Sequence, residues 1–236
     1  MFLDPMYFIL VLIPGLILSV GAQMMVKSAY KKYSQVPARS GLSGAQAAAQ
    51  MLQASNIPDV GIEESQGMLS DHYDPGKKVL RLSPDVYHGR SLSSLGIACH
   101  EAGHAIQHAK GYTPLYIRTA MVPVAGFGTM FGEWMLVGGL ILSGLTQSGI
   151  GYPIALAGFG LFTVAVLFSI VTLPVEFDAS NRAKKQLVSL GFLSGPDEEK
   201  GVSKVLNAAA LTYVAAAAVA LLNLLYWAMI LFGRRN

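Results

Sequence analysis

Charge is what this chain has least of. Lys, Arg, Asp and Glu together make up 13% of its 236 residues, where an ordinary soluble domain carries about 25%. With 53% apolar residues, such a chain is neither disordered nor a wholly soluble globule. Cysteine is nearly missing too. Cys99 stands alone, so no internal disulfide can form, and a single thiol accords with a reducing cytoplasmic face. There is also no basic stripe interleaved with aromatic residues. The net charge of +3 therefore argues for no nucleic-acid partner, and reports membrane topology instead.

The apolar residues are gathered into blocks. Residues 5–26 and 205–233 carry no charge, and 119–173 carry a single one, Glu133. A bilayer-spanning helix needs about 20 apolar residues. The outer blocks fit one span each. The middle one fits two spans and a turn, marked by Gln147-Ser148-Gly149-Ile150-Gly151. The expectation is four transmembrane helices, roughly 6–25, 119–145, 152–173 and 207–231. Core helices of a chain this size would be shorter and amphipathic. The first block is not read as a cleaved signal peptide, because its basic residues (Lys27, Lys31, Lys32) follow it instead of leading it.

Ten of the 17 Lys and Arg lie in 27–118 and five in 174–204. The positive-inside rule then puts both segments on the cytoplasmic side of the plasma (inner) membrane. The N-terminus and the 146–151 turn would lie outside. Arg234 and Arg235 disagree, since a fourth span carries them outside. Either the last block does not cross fully or these two charges yield to the others, and the second reading is preferred.

The expected organisation is a first span in 1–26, an α+β domain in 27–118, a membrane hairpin in 119–173, a cytoplasmic helix in 174–204 and a last span in 205–236. Within 27–118, Ser43 to Ala54 is Ala-rich and helix-favouring, with Ser43 or Ser40 as its cap. Val60-Gly61-Ile62-Glu63 fits a short strand. Asp71–Asp74 and Lys78–Leu82 flank Pro75-Gly76 and predict a β-hairpin. Ser83-Pro84-Asp85 breaks that pattern, and a helix follows from about Ser91 to Lys110, stopped by Gly111.

That helix contains His100-Glu101-Ala102-Gly103-His104. Two histidines four apart on a helix lie about 40° apart around the axis and about 6 Å along it, so both imidazoles can reach one zinc ion. Glu101 lies about a quarter turn to the side, where its carboxylate can hold the attacking water instead of the metal. This is the H-E-x-x-H arrangement of metallopeptidases, in which zinc brings the pKa of a water towards about 7. A catalytic zinc needs a third protein ligand and an open position. Metzincins use a histidine six residues after the second ligand, and Lys110 is there. His108 lies about 12 Å along the axis from His100 and is read as a surface or supporting residue. The better candidate is Glu176, after Pro174, which suits a helix's first position, with the helical pattern running on from Ala179 to Leu190. A hairpin over 119–173 would return Glu176 to the membrane face of His100. Asp178 is the competing carboxylate, about 200° around the helix from Glu176. Either residue could instead be an acidic group on a helix dipole.

Leu80-Arg81-Leu82-Ser83-Pro84, Tyr87-His88-Gly89-Arg90-Ser91, the H-E-A-G-H-A-I-Q run from His100 to Gln107, Gly111-Tyr112 and Leu173-Pro174-Val175-Glu176-Phe177 together resemble the YugP-type family of membrane zinc metallopeptidases. More distantly the chain is similar to the HtpX and CAAX-prenyl endopeptidases. The resemblance implies an α-helical membrane protein with a small zincin-like α+β domain. It also implies Zn2+ as cofactor, His100, His104 and Glu176 as metal ligands, and Glu101 as general base. The distant families carry Asp four residues after the ligand Glu. Here that position is Ser180, so the orienting carboxylate is absent or is replaced by Asp178 or Asn181.

The implied partners are a protein or peptide substrate and the lipid bilayer, the substrate lying as an added strand against one strand of the 71–82 hairpin. Its identity, a homo-oligomer and a membrane-protein partner all stay open. His72, Tyr87, His88, Arg90 and Arg182 are unranked candidates to stabilise an oxyanion. Glu133 inside a span is a functional candidate or an interfacial residue beside Trp134. Asn223 can hydrogen-bond between helices. The rival readings are a transport protein built on Glu133, and a scaffold with a structural or vestigial zinc site.

Overall fold

The computed structural model describes residues 4–67, 70–146 and 149–233. The expected turn residues Gln147 and Ser148, and the dissenting Arg234 and Arg235, lie outside the described residues. The chain is mostly helical. In order it forms α1 (Pro5–Tyr33), α2 (Gly44–Ala54), β1 (Gly61–Glu64), β2 (His72–Asp74), β3 (Val79–Leu82), α3 (Pro84–Tyr87), α4 (Leu92–Ala109), α5 (Thr113–Leu145), α6 (Gly151–Ser189) and α7 (Pro196–Phe232). Helices α1, α5, α6 and α7 are each long and apolar enough to cross a membrane. All four extend beyond the expected spans.

Two compact units are formed, one from Met1–Gly21, Ile117–Leu173 and Tyr213–Asn236, the other from Ala22–Tyr116 and Pro174–Thr212. In the first, large apolar side chains face outward, with Trp134 73% and Leu145 79% exposed. A water-soluble surface would not carry so many, whereas lipid is a good solvent for them. Helices α5 and α6 pair closely, because a Cβ on Gly139 would come within 2.4 Å of the Ala155 nitrogen. Glu133 accepts hydrogen bonds from Asn223 Nδ2 (3.3 Å) and Trp227 Nε1 (3.4 Å). Asn223 therefore does bond between helices, and Glu133 is its acceptor.

The second unit is the α+β part. Strand β3 is central, parallel to β1 and antiparallel to β2, with Tyr73 opposite Leu80. The expected hairpin and short strand are both present, and β1 and β2 are the edges of the sheet. Ser43 caps α2 in a capping box with Gln46. One core joins these elements: Met51 from α2, Leu80 and Leu82 from β3, Leu95 and Ala102 from α4, Ala183 and Leu187 from α6, and Val202 from α7.

One expectation is corrected. Pro174 does not start a helix but lies inside the 39 residues of α6. A proline in a helix interior costs about 3 kcal/mol. Packing outweighs that cost here: Val175, Ala179, Ala183 and Leu187, one turn apart in succession, are all fully buried. Because Leu95 is fully buried in the core that carries α4, Leu95→Ala should cost about 2–5 kcal/mol. A lowered thermal unfolding midpoint is the expected readout, and an unchanged midpoint would mean that this core does not hold the helix.

Candidate metal centre

Helix α4 is delimited by its sequence. Ser91 Oγ accepts the Ser94 amide (3.1 Å) at its start. At its end Gly111 takes φ +65°. There the Tyr112 amide reaches the Gln107 carbonyl (2.9 Å) and the Gly111 amide that of His108 (3.2 Å), a Schellman stop. Helix α6 lies close against it. A Cβ on Gly103 would sit 2.6 Å from the Ala179 carbonyl oxygen, so a side chain between the two histidines would push the helices apart.

That approach brings His100, His104 and Glu176 into one cluster, their ligand atoms all within 4.8 Å of one another. Glu176 Oε2 is 3.3 Å from His100 Nε2 and 3.6 Å from His104 Nε2. Donors of a tetrahedral zinc with bonds of about 2.0–2.1 Å lie about 3.3 Å apart, so the two carboxylate–imidazole distances suit the ion. Glu176 and His104 are buried. Burial alone would raise the Glu176 carboxyl, but the two imidazoles hold it well below the usual carboxylate range. Burial works against a charged His104, and the Glu176 carboxylate overrides it and raises the imidazole.

The outward nitrogens fix which way the rings present themselves. Gln107 Nε2 lies 2.8 Å from both the Val175 carbonyl and Asp178 Oδ2. Both are acceptors, so this end of the amide must be the NH2. Gln107 Oε1 then faces His104 Nδ1 at 2.9 Å, and Nδ1 must carry the proton. The Nε2 lone pair is left for a metal. Arg182 pairs with Asp178 and stacks over Tyr112 at 5.7 Å, which holds the far end of the relay. On the other ring, Ser180 Oγ lies 3.1 Å from His100 Nδ1. Ser180 thus faces the outward nitrogen of His100, and Asp178 reaches the His104 ring only through Gln107. Asn181 makes no hydrogen bond to either ring among the described residues.

Glu101 is buried on α4, outside the three-residue cluster. Its charge reaches Asp71, whose carboxyl is pushed up by burial and further by Glu101, against hydrogen bonds from the Ser83 amide and hydroxyl. His108 is not in the cluster; its Nδ1 meets Tyr73 Oη at 2.8 Å, tying edge strand β2 to α4. Cys99 is fully buried and its thiol is pushed up to about 12, a packed residue and no nucleophile. The oxyanion candidates are dispersed. His72 meets the Ser70 carbonyl, His88 pairs with Glu64, Tyr87 packs on His88, Arg90 is exposed and Arg182 holds Asp178. Sequence reasoning gave Gln107 and Asp71 no role, and the Gln in the H-E-A-G-H-A-I-Q run, one turn past His104, was the available signal.

The family described as "Putative neutral zinc metallopeptidase" matches residues 8–232. The chain belongs to that family. It is also 46% identical over 231 residues to "Putative membrane protease YugP" of Bacillus subtilis (strain 168), covering 98% of this chain and 99% of the relative. No solved structure matches it. The resemblance seen in the motifs thus extends over nearly the whole length, and the geometry of the cluster agrees with a family of zinc peptidases.

If Gln107 sets the His104 tautomer, Gln107→Leu should weaken zinc about 10–100-fold in a chelator competition on the purified protein. Unchanged affinity would remove Gln107 from the site.

Proposed function

We propose that the chain is a membrane-integrated zinc endopeptidase that hydrolyses peptide bonds, with His100, His104 and Glu176 holding the ion. The observation that carries this reading is the convergence of one carboxylate and two imidazoles in one cluster, with the carboxylate 3.3 and 3.6 Å from the two ring nitrogens. The ion would supply a Lewis acid that polarises the scissile carbonyl and makes water acidic enough to attack near neutral pH.

Glu101 is the general base. It sits on the same helix as both histidines, turned off the metal-binding line, and is mostly shielded from bulk water. It takes a proton from the attacking water and returns it to the departing amine nitrogen. Burial, with the nearby Glu101 charge adding to it, raises the carboxyl of Asp71. The substrate, an extended protein or peptide segment, adds to the free edge of β2, which the Tyr73–His108 bond keeps beside α4. The concentration of basic residues in 27–118 and 174–204 supports a cytoplasmic-facing site in a multi-pass plasma-membrane protein. An even number of spans between His100 and Glu176 is what their meeting requires. The transport reading is not favoured, since Glu133 is engaged by Asn223 and Trp227 as a link between helices.

Glu101→Gln tests the proposal. It should keep about one zinc per chain and lower cleavage of a quenched-fluorescent peptide library by about 10²–10⁴-fold or more. Retained cleavage would reject Glu101 as base, and a wild-type protein that never binds zinc would reject the enzyme reading itself.

A further inference from the structure

Away from the metal centre, the second unit has a groove of about 570 Å³ between the end of α1 and the start of α7. Two features of its lining coincide. On α1 the charge-free block ends at Val26, and the groove runs from Met24 and Met25 to Lys32. On α7 the charge-free block begins at Val205, and the groove runs from Lys204 to Leu211. The two helices enter their apolar blocks at the same groove, from opposite chain directions. Both lysines thus fall on the charged side of the boundary, and the methionines and Leu211 on the apolar side.

The dimensions suit one kind of molecule. Seven residues of helix separate Lys32 from Met25 and Lys204 from Leu211, about 10 Å along each axis. That is the depth of a phospholipid from its phosphate through the glycerol to the first acyl carbons. Neither ammonium has a carboxylate partner among the described residues, and Lys32 lies over the Tyr33 ring at 5.5 Å. Exposed Asn207 adds a polar group beside the lysines, and Lys184 Nζ reaches its Oδ1 at 3.5 Å, bringing a third cation to the rim.

We propose that this groove is a binding site for an anionic phospholipid of the surrounding bilayer, its phosphate held by Lys32 and Lys204 and its acyl chains against Met24, Met25 and Leu211. Paired lysines at the headgroup level above an apolar cleft are the chemistry that separates an anionic from a zwitterionic lipid. The site is independent of the metal centre and of any peptidase activity.

The test uses the purified full-length protein in mild detergent. It is exposed to an equimolar mixture of phosphatidylglycerol and phosphatidylcholine with identical chains, and the bound lipids are counted by native mass spectrometry. Wild type should prefer phosphatidylglycerol by about tenfold or more. Lys32→Gln with Lys204→Gln should bring that ratio close to one, whereas Lys77→Gln, in the hairpin turn, should leave it unchanged. Ala29→Trp, which fills the groove and keeps both lysines, should abolish the bound lipid. Equal binding of the two lipids by wild type would overturn the proposal, as would a preference that survives either groove variant. Displacement of the lipid by millimolar inorganic phosphate would also overturn it, by assigning the groove to a free anion.

Discussion

Three donor atoms must be held about 3.3 Å apart by two helices that are far apart in sequence. That constraint requires α4 and α6 to approach until a backbone carbonyl touches the face that bears the histidines, and Gly103 against Ala179 is where this happens. It requires two rings to present Nε2 inward, and Ser180 and Gln107 hold the opposite nitrogens. It also requires a carboxylate three residues past the apolar block to stay in register with them.

The continuity of α6 meets the last requirement. Ending the helix at Leu173 and starting again would have left Glu176 on a joint. Instead one buried stripe, Val175 to Leu187, packs into the core and carries the carboxylate on a rigid element. Pro174 is tolerated inside it because burial of that stripe offsets the lost hydrogen bond. A site on helices is also more exact in its geometry than one on loops. The same core that fixes α4 and α6 includes β3, and so holds the sheet whose edge strand β2 is tied to α4 by Tyr73 and His108.

Much of this was legible in the sequence, for local reasons. His100 and His104 are one helical turn apart, so spacing alone puts them together. The charge-free blocks announce the four long helices, and Pro75-Gly76 between short β-forming runs announces the hairpin. Glu176 needed one further inference, that a hairpin of two spans brings the chain back. What could not be read depends on partners distant in the chain. The role of Gln107 comes from Val175 and Asp178, and that of Ser180 from His100. Pro174, at the edge of an apolar run, has the local signature of a helix start, and the burial stripe that carries the helix through it shows only against the core. In the sequence the lysines of the groove are indistinguishable from other positive-inside charges, and only the pairing of α1 with α7 sets them together.

The central claim is the donor set, and X-ray absorption at the zinc edge of the full-length, zinc-loaded protein tests it most directly. The account predicts a first shell of nitrogen and oxygen at about 2.0–2.1 Å, with the multiple scattering of two imidazoles and one carboxylate. A third imidazole, which would bring in His108, or a sulfur at about 2.3 Å, which would bring in Cys99, would contradict it.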